Sequence, residues 1–109
     1  MDDSRGQEEY VRRVLEAYRK TPGTMGSVRR AGRTLAARLH ERGVAVGVIE
    51  NALLLAAARR LLRLPMLRLG TIRSLAYFLA VIEEVPGLRV GPDYFQYLRQ
   101  KLERVTPPR

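Results

Sequence analysis

The chain has 109 residues, no cysteine and a formal net charge of +9, and 46% of its residues are hydrophobic. That length and apolar content fit one globular domain, 1–109, rather than a disordered chain. The missing cysteines exclude a disulfide framework and any thiolate metal site. The longest apolar run, Ala52 to Ala58, falls far short of the roughly 20 residues that cross a bilayer. The acidic start MDDSRGQEE offers no secretory signal. A cytoplasmic protein without a membrane partner is expected, with flexible ends at 1–6 and 106–109.

The charge is unevenly placed. Residues 1–20 hold five basic and five acidic side chains, residues 21–73 ten arginines against Glu41 and Glu50, and residues 74–109 five basic against four acidic. Almost the whole excess therefore sits in the middle of the chain. A basic segment of this kind is an electrostatic footprint for a polyanion.

Helical periodicity begins at Gln7 and runs to Lys20, with Tyr10, Val11, Val14, Leu15 and Tyr18 on one face. Glu8–Arg12, Glu9–Arg13 and Glu16–Lys20 are i,i+4 pairs with the acid first, the favoured order. Thr21-Pro22-Gly23 ends this helix. Ser27 is a candidate N-cap for a second helix that runs to about Arg42, with Gly43 as its stop. A third spans about Val46 to Arg63, bounded by Pro65, and is apolar nearly all round, as a central buried helix would be. Within it Leu54 and Ala57 are expected in the core. A fourth runs from about Ile72 to Val85, closed by Pro86-Gly87. A fifth opens at Pro92 or Asp93 and turns Tyr94, Phe95, Leu98, Leu102 and Val105 inward. No segment alternates with period two. The fold class expected is all-α, a compact bundle of four to five helices around a central buried one.

The stretch LHERGVAVGVIENAL, Leu39 to Leu53, invites a helix-turn-helix reading through Gly43 and Ile49. That motif wants a small residue four before the glycine, where Leu39 stands, and apolar residues five and one before it, where Arg38 and Arg42 stand. Its second helix should present polar side chains to base edges, whereas this one begins Ala45, Val46, Gly47. A packed helical hairpin is the better reading.

The second helix is the stronger candidate for contact. At about 100° per residue, Val28, Leu35 and Leu39 fall on one side and Arg29, Arg30, Arg33 and His40 roughly opposite. An acid-free arginine face suits phosphate, since the guanidinium is planar, permanently charged and able to bind bidentately. Arg59, Arg60 and Arg63 extend the basic set or complement the end of the third helix, and Arg73 follows. A simply solvated arginine face is the competing explanation. Of the aromatics, Phe78, Tyr94 and Phe95 fall on apolar faces. Tyr97, beside Arg99 and Lys101, is the one candidate for base stacking.

Chemistry is hard to build from these residues. His40 is the sole histidine, no nucleophile-elbow or phosphate-loop motif is present, and the adjacent acids Glu83-Glu84 diverge on a helix instead of facing one another. No catalytic residue, metal or cofactor is expected. The run TIRSLAYFLAVIEEV, with the DYFQYLRQKLE that follows, resembles a segment of small uncharacterised helical proteins of bacterial mobile elements. Ile72, Arg73, Ser74, Tyr77 and Phe78 are also similar to a helix near the C-terminus of some plasmid and phage replication initiators. That resemblance implies a replication, transposition or integration setting and carries over no functional residue. The expectation is thus a non-enzymatic accessory protein that binds DNA or RNA through phosphates, alone or as a small subunit of a nucleoprotein complex. The alternative is a helical adaptor or homodimer, with Met66, Leu67 and Leu69 as an exposed apolar contact.

Overall fold

An apolar helix without a polar face has to be surrounded, and the chain is built around one. A computed structural model describes residues 3–25, 28, 30–63 and 70–105. Their helices are α1 (Asp3–Lys20), α2 (Arg30–Glu41), α3 (Val46–Arg63), α4 (Leu79–Glu84) and α5 (Pro92–Val105), with 3-10 turns at Leu75–Phe78 and Val85–Gly87 flanking α4. α3 packs against α1, α4 and α5, while α2 lies on α1. Ile49, Ala52, Leu53, Leu55 and Ala57 of α3 are buried among Val14 and Tyr18 of α1, Phe78 and Ile82 around α4, and Phe95 and Leu98 of α5. The expected all-α bundle with a central helix is what forms. Its Cα radius of gyration, 14.1 Å, is close to the roughly 13 Å of a compact globule of this length. Among the described residues no helix is long and apolar enough to cross a membrane.

α1 starts at Asp3, a turn earlier than its apolar stripe, because its first turn carries no apolar residue to announce it. Its end is tied down by side chains: Thr21 Oγ1 donates to the Ala17 carbonyl at 2.8 Å and Thr24 Oγ1 to the Tyr18 carbonyl at 3.0 Å. α2 closes on Gly43, which holds φ 78°. Gly43 N–H donates to His40 O and Val44 N–H to Leu39 O, the paired bonds of a Schellman turn. The Val44 carbonyl then accepts from Tyr10 Oη at 2.7 Å, joining the turn to α1.

Three local expectations are corrected. The fourth helix does not start at Ile72. That residue pairs with Thr24 in an isolated parallel bridge, with Ile72 N–H to Gly23 O at 2.7 Å and Met25 N–H to Ile72 O at 3.1 Å, so helical turns begin only at Leu75. Leu54 is only half-buried, unlike Leu53 and Leu55, because it faces a gap between α1 and α5. Tyr94 is 39% exposed rather than inward, since Phe95 takes the inward position at the start of α5. Ser27 and the apolar Met66, Leu67 and Leu69 lie outside the described residues, as do residues 106–109.

Candidate nucleic-acid interface

α2 buries Ala36 and Leu39 and leaves Arg30, Arg33 and Arg38 exposed. None of the three has a carboxylate within ion-pair distance among the described residues. Arg29 lies outside the described residues. His40 falls within about 20° of Arg33 round the helix but is not exposed as the arginines are. It is half-buried, its ring 4.9 Å from that of Tyr10 at 60°, because α1 closes over that flank of α2. Arg38, by contrast, is exposed without having been singled out. Its eight-residue separation from Arg30 places it about 80° round the helix and roughly 12 Å along it, while Arg33 stands about 60° round in the other sense, so Arg33 and Arg38 are roughly 140° apart on the exposed half of α2.

α1 and α2 form an antiparallel pair, with Tyr10 against His40 near the N-terminal half of one and the C-terminal end of the other. From that contact, Arg33 lies seven residues back along α2, roughly 10 Å, and Arg19 nine residues on along α1, roughly 13 Å. The two arginines therefore stand nearly level, and both line the shallow groove between the helices, over a floor of Val11, Leu15 and Ala37. Arg19 is exposed and, like Arg33, has no carboxylate partner among the described residues. Arg12 at the same groove is taken up by Glu9 and by Glu16, the latter at 3.6 Å. The Arg12 hydrogen bond and charge hold the Glu9 carboxyl below its ordinary value.

Other arginines act as ties between helices. Arg13 of α1 reaches Glu50 of α3 at 3.2 Å, Arg42 reaches Glu83 of α4 at 3.9 Å, and Arg59 of α3 meets Glu84 of α4 through both terminal nitrogens at 2.6 Å. The bidentate bond that Arg59 donates to Glu84 raises the Arg59 pKa above its ordinary value, against a smaller opposing effect of burial. Arg60 donates to the Gly70 carbonyl and lies beneath Gly23. The guanidinium groups of Arg59 and Arg60 are thus committed within the fold. Arg63 closes α3, and its side chain is outside the description. Arg73 is exposed just before the first 3-10 turn. The helix-turn-helix comparison fares no better in space: α2 rests on α1, and Ala45 and Gly47 are what the start of α3 exposes.

Tyr97 is 54% exposed and has Lys101 over its ring at 5.6 Å, with Lys101 Nζ donating to its hydroxyl at 3.2 Å. Phe78 and Phe95 are buried as expected. Among the described residues no group of three or more histidine, aspartate or glutamate side chains is placed to hold a metal ion. Compared with protein-family models, with curated proteins and with solved structures, the chain gives no match.

Proposed function

We propose that the chain is a non-enzymatic nucleic-acid-binding protein whose α2 lies along a phosphate backbone. The observation that carries this reading is the division of labour among the arginines. Those reaching to a neighbouring helix (Arg13, Arg42 and Arg59) each have a glutamate, whereas Arg30, Arg33 and Arg38 project from one helix into solvent with none. Arg19 adds a fourth unpaired guanidinium across the groove from Arg33. Exposed arginines of this kind neutralise phosphates and release their counterions without reading base edges. No polar row at the start of α3 offers direct readout, so binding depends weakly on sequence. The biological setting proposed is replication or transposition of a mobile element, on the resemblance carried by Ile72, Arg73, Ser74, Tyr77 and Phe78.

The test is fluorescence anisotropy of labelled duplex DNA, single-stranded DNA and RNA at low salt. Dissociation constants below micromolar for at least one of them, with little dependence on sequence, are expected. Failure to bind any of the three below micromolar overturns the reading.

A further inference from the structure

The surface on the other side of α1 has a different character. Between α1 and α5, both seated on α3, runs an open groove of about 530 Å³. Its floor includes Leu53, Leu54, Ala57 and Leu102, and this is where Leu54, between the buried Leu53 and Leu55, is left half-buried. The groove is a gap in the cover of the central helix.

Its rim is electrically balanced. Arg13, Lys20 and Arg99 stand against Glu16, Glu50 and Glu103, in a chain whose net charge is +9. Two copies of so basic a chain repel each other least where they meet at such a neutral border. Four of the six rim charges are already matched, Arg13 with Glu50 at 3.2 Å and Lys20 with Glu16 at 3.3 Å. The remaining two, Arg99 and Glu103, are exposed, opposite in sign, one turn apart on α5 and without an ion-pair partner among the described residues. Arginine before glutamate is the weaker i,i+4 order, which leaves both available. A two-fold interface needs a set of residues that complements itself, so that each meets its opposite on the other copy. One arginine and one glutamate on the same helix are the smallest such set.

We propose that the chain pairs with a second copy of itself through the α1–α3–α5 groove. Leu54 is covered about a two-fold axis, and Arg99 of each copy meets the partner's Glu103. The arginines of α2 sit on the opposite flank of α1, so the pair presents two basic surfaces outward.

The oligomeric state is measured on the full chain without nucleic acid, by sedimentation equilibrium at tens of micromolar, so this proposal fails or stands apart from the nucleic-acid reading. Wild type is expected to sediment as a dimer. Arg99→Glu alone and Glu103→Arg alone each place like charges opposite one another and should weaken self-association at least tenfold, with helical circular dichroism unchanged. An equimolar mixture of the two variants restores opposite charges on both sides and should regain the dimer. A monomeric wild type overturns the proposal. So do a dimer indifferent to both variants and a mixture that stays monomeric.

Discussion

A single glycine shows how tightly the loops are joined. Gly23 sits at φ 90°, where a side chain is strained, and a Cβ there would lie 2.7 Å from Arg60 Nη1. Gly43 has a similar φ, 78°, with open space around it. Gly43→Ala should therefore cost only the left-handed backbone penalty, about 1 kcal/mol. Gly23→Ala carries that penalty and also requires the Arg60 guanidinium to shift, for about 1 to 2 kcal/mol. Thermal unfolding compares them, since about 1 kcal/mol shifts a domain of this size by roughly 4–8 °C. Equal shifts would remove the assigned role of Arg60. Leu53 and Leu54 make a second pair. Leu53 is 2% exposed, so Leu53→Asp buries an uncompensated charge and should abolish cooperative folding. Leu54→Asp keeps its carboxylate at the groove and should still unfold cooperatively in urea. The sequence could not separate these neighbours. A helix apolar all round identifies itself as central but does not reveal which strip its neighbours leave open.

The helices were legible to different degrees, for physical reasons. α3 and α5 have the expected bounds because their ends carry strong signals: Gly43 before one, and Gly91-Pro92 before the other. The segment after Ile72 has helical periodicity throughout, yet its first turns are lost to a backbone pairing with Thr24 that no local pattern encodes. Of the ion pairs expected along α1, Glu16–Lys20 forms, whereas Arg12 takes Glu9 and Glu16 in place of Glu8 and Arg13 leaves its own helix for Glu50. The link between α1 and the α2–α3 turn is testable through pH. Burial raises the Tyr10 hydroxyl pKa above its ordinary 10.0, and that hydroxyl donates to the Val44 carbonyl. A group whose folded pKa is raised contributes stability that is complete below the unfolded value and is lost as pH climbs through the folded one. Wild type should thus lose stability above about pH 10. Tyr10→Phe should have a shallower alkaline limb, read from urea unfolding across that range. An unchanged limb would detach Tyr10 from this contribution.

Across the whole molecule, the charge distribution along the chain located the excess of arginine, but not which arginines would be free of a carboxylate partner. Arg30 and Arg33 follow from spacing on one helix. Arg19 does not, because it belongs to a segment of zero net charge and reaches the site only when α1 and α2 pair. His40 is half-covered for the converse reason, since Tyr10 of the neighbouring helix packs on its ring. Arg59 and Arg60 are indistinguishable from free cations until Glu84 and Gly70 arrive from distant sequence. Phosphate binding is proposed at α2, and the most direct measurement is the salt dependence of nucleic-acid affinity for wild type, the Arg30→Gln/Arg33→Gln/Arg38→Gln variant and Arg59→Gln. Each neutralised phosphate adds about −0.7 to −0.9 to the slope of log K against log salt. Removing three α2 arginines should flatten that slope by about 2 to 3 while barely moving the thermal midpoint, because exposed arginines contribute little to folding. Arg59→Gln should do the reverse, lowering the midpoint and keeping the wild-type slope. A triple variant that retains the wild-type slope would contradict the assignment of α2 as the phosphate-binding surface.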